Sequence, residues 1–277
     1  MKDNYIIFPD IHGRTFWKEP LSRYPKEKYP DMKFIFLGDY LDPYYPYEKY
    51  TKEDALNNFK EIIEAAKHDE RIILLLGNHD WHYIYRTDYV RIDIERFNDI
   101  RNLFIENLNR FQFAYTCTDK NGKEYLFTHA GVTEGWLRDV TIALNGFLNR
   151  DNLEEFNKKE KIDFFVDLLD DINNDISMVV ILNKMVDSEK VYKGIFMDMI
   201  SEYRGGYNRF GSPIWADVHE HNTNKTFKNY YQIFGHTITY PNGQFSYEIN
   251  DKWAMIDASQ SFILTPDGIL KPLNEKK

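Results

Sequence analysis

The clearest pattern in the chain is an apolar run that stops abruptly at polar residues. In Arg71-Ile-Ile-Leu-Leu-Leu-Gly-Asn-His-Asp80, five apolar residues follow one another without alternation, then glycine, then three polar residues. An unalternating run of this length predicts a strand buried on both faces, as in a sheet with helices on each side. Gly77 frees the chain for a sharp turn at the strand end, the end at which open α/β sheets hold their ligands. The same design recurs. Tyr5–Phe8 leads into Pro9-Asp10-Ile11-His12-Gly13, and Met32–Leu37 into Gly38-Asp39-Tyr40-Leu41-Asp42. Glu124–Phe127 leads into Thr128-His129-Ala130-Gly131, and Tyr230–Phe234 into Gly235-His236-Thr237.

Between these runs the pattern predicts helices. Thr51 opens one with Thr-x-x-Asp54 as its capping pattern, and Leu56, Phe59, Ile62, Ile63 and Ala66 keep the helical period. Residues 92–108 form another helix by pattern. Phe111–Cys117 and Glu124–Phe127 read as strands around the turn at Asp119–Gly122, and Trp253–Asp257 and Ser261–Leu264 as two final strands. From about residue 133 to 203 the texture is helical and lacks the strand-then-ligand design. This stretch reads as a helical insertion beside or over the cleft of a single domain, residues 1–277. Strand, crossover and strand in repetition predict a layered α/β sheet.

Composition narrows the function. The formal net charge of −9 disfavours nucleic-acid partners, which need clustered Lys and Arg, and suits capture of cations. Aromatics make up 16% of the chain, and residues 43–50 form an aromatic loop able to stack a planar substrate group. The single cysteine, Cys117, cannot form an intrachain disulfide. The N-terminus reads as a first strand, not a signal peptide, and no stretch approaches the roughly 20 apolar residues of a membrane span. A cytoplasmic protein is expected.

Asp10, His12, Asp39, Asn78, His129 and His236 all follow predicted strands. Carboxylate, imidazole and amide donors without thiolate suit hard or borderline divalent metals, namely Mn, Fe, Zn, Co or Mg. One carboxylate among imidazoles can bridge two ions, and such a pair stabilises both attacking and leaving oxygens of a phosphoryl displacement.

In order and approximate spacing these motifs resemble the calcineurin-like metallophosphoesterase superfamily. They are Asp10-x-His12-Gly13, Gly38-Asp39-x-x-Asp42, Gly77-Asn78-His79-Asp80, His129-Ala-Gly131 and Gly235-His236. Gly211–Asp217 further resembles a segment of the branch that holds protein Ser/Thr phosphatases and symmetrical diadenosine tetraphosphatases. The resemblance implies a four-layer α/β/β/α sandwich, refining the layered sheet of the pattern reading. It implies two divalent ions, manganese first: Asp10 and His12 on one, Asp39 bridging, Asn78, His129 and His236 on the other. It implies in-line attack on phosphorus by a hydroxide shared between the ions, with His79 protonating the leaving oxygen and Asp42 orienting His79. The expected substrate is a phosphomonoester, on a phosphoprotein or a small phosphometabolite. The alternatives are dinucleoside polyphosphates, or a non-catalytic phospho-ligand-binding protein on the same shell.

Two departures stand out. Where many relatives carry arginine after the second Asp, this chain has Pro43, so Arg14, and then Arg204 and Arg209, are the candidates to grip phosphate. Residue 238 is Ile, so the Gly-His-x-His motif of nuclease-like relatives is absent.

Overall fold

A computed structural model describes residues 4–44, 48–86, 91–149, 159–187, 190–227, 230–238 and 245–274. The apolar runs form strands β1 (Tyr5–Phe8), β2 (Lys33–Phe36) and β3 (Ile72–Leu75), which pair in parallel. The short β4 (Phe111–Gln112) adds to one edge. A second sheet is built from β5 (Tyr115–Thr118), β6 (Glu124–Phe127), β7 (Tyr231–Phe234), β8 (Glu248–Ile249) and β9 (Trp253–Met255). Within it β6, β7 and β9 run parallel, and β5 and β8 close its edges antiparallel. The chain then returns to the first sheet as β10 (Phe262–Leu264) and β11 (Leu270–Pro272), giving the orders β11-β10-β1-β2-β3-β4 and β5-β6-β7-β9-β8.

Strand side chains alternate between two environments. Tyr5, Ile7, Ile35, Leu37 and Leu75 share a core with Tyr125, Phe127, Ile233, Ala254 and Ile256 of the second sheet. Ile6, Phe8, Phe34, Phe36 and Leu74 face the other way, into a larger core with the helices. The architecture is therefore an α/β sandwich. An apolar run announces burial on both faces without naming the covering layer, which is why pattern alone predicts helices where a second sheet lies. The predicted strand Phe111–Cys117 is likewise two strands, β4 on one sheet and β5 on the other.

The main helices are α1 (Lys18–Arg23), α2 (Lys52–His68), α3 (Asn78–Tyr85), α4 (Phe97–Glu106), α5 (Glu134–Leu148), α6 (Lys159–Asn173) and α7 (Met178–Asn183). The box at Thr51 forms: the Asp54 amide donates to Thr51 Oγ1 at 3.1 Å, and the Thr51 amide to Asp54 Oδ2 at 2.9 Å. The apolar face of α2 buries Phe59 between Tyr40 and Phe104, at ring separations of 5.0 and 4.6 Å. Truncating such a ring to alanine costs about 3–5 kcal/mol. Helix α4 starts later than its predicted residue 92, because residues 92–96 turn toward α3, where the Asp93 amide donates to Tyr83 Oη at 2.7 Å. Helices α5–α7 lie between β6 and β7, and α6 packs on both α5 and α7. No helix of the described residues is long and apolar enough to cross a membrane.

Candidate metal centre

The parallel strands β1, β2, β3, β6 and β7 end at one cleft, of about 290 Å³. Asp10, His12, Asp39, Asn78, His79 and His236 line it, and His129 reaches it from below with no exposure. Sharp exits make this convergence possible. His12, Asp39, Asp42 and His236 all hold positive φ, between 42° and 67°. That region is uncommon for non-glycine residues and is retained where surrounding structure over-determines it. Asp80 supplies part of that determination: its carboxylate accepts from the amides of Asp39 (2.7 Å), Tyr40 (3.0 Å) and Gly77 (2.8 Å). Asn78 and His79 are presented by the first turn of α3, a helix that the pattern did not predict.

The donor atoms converge around Asp39. Asp39 forms one group with His12 and His79 and a second with His129 and His236; in each, the ligand atoms lie within 4.8 Å of one another. His12 Nε2 and His129 Nε2 are each 3.5 Å from Asp39 Oδ2, and His129 Nε2 is 4.0 Å from Asp10 Oδ2. Asn78 Oδ1 lies 3.0 Å from His129 Nε2, and His236 Nδ1 lies 3.1 Å from it. Tautomers are set from outside. His12 Nδ1 donates to the Leu41 carbonyl (2.8 Å) and His129 Nδ1 to the Leu37 carbonyl (2.9 Å), so both Nε2 atoms face the cleft as acceptors. The Asp10 carboxylate accepts from the His236 amide at 2.9 Å, and Asp39 Oδ1 from the His79 amide at 2.9 Å.

This donor set fits divalent cations. His236 Nε2 is buried and, among the described residues, has no hydrogen-bond partner. Burial first, then neighbouring positive charge, pushes His12 and His236 well below the usual imidazole range, toward the neutral, ligating form. Burial and the charge of Asp10 push Asp39 up, against the lowering effects of the His79 amide bond and the Arg91 charge. Room for those carboxylates comes from glycine: a Cβ at Gly77 would collide with Asp39, and one at Gly235 with Asp10.

Beside the donors, His79 Nδ1 donates to Asp42 Oδ2 at 2.8 Å, and Tyr83 Oη donates to Asp42 Oδ1 at 2.6 Å. Burial pushes Asp42 up to about 7, against the lowering effects of the Tyr83 bond and the Arg91 charge.

The arginines separate. Arg14 is buried and tied down, with Nε and Nη2 on Glu48 (3.0 and 2.7 Å) and Nη1 on the Asp10 carbonyl (3.1 Å). Arg204 lines the cleft, donating to the His236 carbonyl (2.9 Å) and Thr237 Oγ1 (2.7 Å) and pairing with Asp217. Arg209 is exposed against Phe210 and does not line the cleft. The cleft holds another arginine that sequence reasoning missed. Arg91 donates from Nη2 to His79 Nε2 at 2.9 Å and from Nη1 to the Asp42 carbonyl at 3.1 Å, and stacks 3.9 Å over Tyr44. No local motif marks it. Of the aromatic loop, Tyr44 lines the cleft, whereas residues 45–47 lie outside those described.

A cleft of buried histidines and carboxylates at the ends of a two-sheet sandwich is the site of a metal-dependent phosphoryl hydrolase. The family comparison agrees: the calcineurin-like phosphoesterase profile matches residues 5–240, and the chain belongs to that family of hydrolytic phosphoesterases. No curated protein matches the chain. Metal-dependent phosphoester hydrolysis follows from family and donor set together, and it takes precedence over the non-catalytic reading.

Proposed function

We propose that this protein hydrolyses phosphomonoesters, on a phosphoprotein or a small phosphometabolite, at a dinuclear centre with manganese as its first-choice metal. The observation that carries this reading is the pair of donor groups that share Asp39. Asp10, His12 and Asp39 would hold one cation, and Asp39, Asn78, His129 and His236 the other. Bound divalent cations supply Lewis acidity and a lowered water pKa. His79 would pass a proton to the leaving oxygen from Nε2 in its protonated form: Asp42 holds its Nδ1, and the bond from Arg91 to Nε2 at the cleft opens when Nε2 takes up the proton.

Arg91 is the phosphate grip. Its anchor on the Asp42 carbonyl puts a guanidinium beside Pro43, where relatives carry arginine in sequence. Arg204 serves from the opposite wall. Arg14 acts as a brace while both its edges are engaged by Glu48 and Asp10. Helices α5–α7 belong to a helical insertion at about residues 133–203 within a single domain; its end brings Tyr203 to the cleft rim, where substrate choice is made.

A second reading rests on Tyr203, which is 56% exposed at the rim and stacked on His219, and so offers a face to a nucleobase. It favours dinucleoside polyphosphates.

The test compares chelated and Mn-reconstituted protein on p-nitrophenyl phosphate, phosphopeptides and dinucleoside polyphosphates, with His79→Asn alongside. Activity should return with metal, and the variant should lose about 10²–10⁴-fold in kcat while still binding Mn. Undiminished turnover after chelation would sink the metal-dependent reading. Preference for the dinucleoside substrates would select the second.

A further inference from the structure

Apart from the two-residue edge strand β4, the parallel strands β1, β2, β3, β6 and β7 release the chain at the cleft, and a sixth, β9, ends beside β7. The first five exits carry Asp10, Asp39, Asn78, His129 and His236. The sixth exit carries Asp257, which the site as described does not use. Strand β9 lies parallel to β7 with Met255 opposite Phe234. Asp257 follows Met255 by two residues, just as His236 follows Phe234. The Ile256 amide donates to the Phe234 carbonyl at 2.8 Å, which carries the pairing past the strand end.

The Asp257 side chain is 1% exposed, and among the described residues neither carboxylate oxygen has a hydrogen-bond partner. A buried carboxylate without partners is costly. Its electrostatic neighbours are Asp10, Arg14, Asp39 and Arg204, all in or beside the metal centre. The two arginines do not satisfy it. Arg14 is bonded to Glu48 and the Asp10 carbonyl, and Arg204 to His236, Thr237 and Asp217. Asp257 therefore lies within electrostatic reach of two other carboxylates, Asp10 and Asp39, and among the described residues no cation forms an ion pair with it.

We infer that Asp257 is a further anionic group of the cation centre, a positioning residue that takes its missing hydrogen bonds from the hydration shell of a divalent ion held through Asp10. The inference rests on the proposed dinuclear reading and extends it to a residue outside the donor set. Partners of metal-bound groups typically cost 10–100-fold in metal affinity when they are removed.

The test titrates chelated wild type, Asp257→Asn and His129→Ala with MnCl2 by calorimetry, and follows thermal unfolding with and without Mn. Asp257→Asn should bind Mn at least about tenfold more weakly. Its metal-free Tm should equal or exceed wild type, since a buried unpaired charge has gone, and the Tm gain from Mn should shrink. A merely structural carboxylate would instead lower the metal-free Tm and leave Mn affinity unchanged. Asp257→Ser provides a second variant should the amide fail to fold. Wild-type Mn affinity in either folded variant, with affinity lost in His129→Ala, overturns the role of Asp257 and leaves the metal centre standing. No Mn binding by wild type overturns both.

Discussion

On the floor of the cleft, Asp10, His12, Asp39, Asn78 and His129 are each at most 1% exposed, and backbone or carbonyl bonds lock those around Asp39 in place. On the rim, Arg91 and Arg204 are half-buried and Tyr203 is exposed, and their contacts run to carbonyls, a hydroxyl and aromatic faces. The floor stands on strand ends and the first turn of a helix, and the rim on connecting segments. The difference teaches where rigidity is spent: the proposed cation donors need to be held to a fraction of an ångström, whereas the proposed phosphate grip tolerates side chains that adjust as substrate arrives.

Breaking the floor should have the largest effect. His129→Ala removes a proposed ligand common to the tightest contacts, and kcat/KM should fall by at least about 10³-fold, the several kcal/mol that a Lewis-acid cation contributes. Steady-state kinetics with parallel metal analysis checks this; retained activity with a full metal complement would refute the assignment. Gly77→Ala tests rigidity without replacing a donor. The new Cβ displaces the Asp39 carboxylate, and a misplacement of this kind should cost about 10²-fold in rate. Circular dichroism should show the fold intact.

The rim should yield less. Arg91→Ala loses a charge-assisted grip, so kcat/KM should fall about 10–100-fold, with metal content unchanged. Arg209→Ala, exposed and outside the cleft, should match wild type. Equal effects of the two would erase the distinction between a rim arginine and a surface one.

One further effect, on stability and not on turnover, concerns neither region directly. His221 is buried against Phe234 and supports the exit of β6 by bonding the Ala130 carbonyl at 3.1 Å. Burial pushes it down to about 4, so the fold holds it neutral. Its folded-state pKa lies below the unfolded value of about 6.5. Its contribution to stability is therefore present above that value and lost as pH falls toward 4, on the order of 3 kcal/mol in all. Denaturant unfolding of the chelated protein across this window should show a shallower pH slope in His221→Phe. An unchanged slope would show that His221 does not drive the acid sensitivity.

Much of the floor could be read from the chain. A strand announces itself by its apolar run, a glycine licenses the turn that follows, and the donor lies within a few residues; all of this is local chemistry. Asp257 obeys the same grammar after Trp253-Ala-Met-Ile, yet the run alone does not say that β9 ends beside β7. The helix α3 was missed because Asn78-His-Asp-Trp-His reads as a polar loop until Asp80 is seen to cap it back onto Gly77.

By itself, then, the sequence determined the strand ends, their order and the donor chemistry, because these depend on residues only a few positions apart. The tertiary structure alone decided three things: that a second sheet, rather than helices, covers the first; that Glu48 engages Arg14 from 34 residues away; and that Arg91 comes to rest on Asp42 from 49 residues away. Such pairings are settled by how the layers pack, and no local pattern encodes that packing.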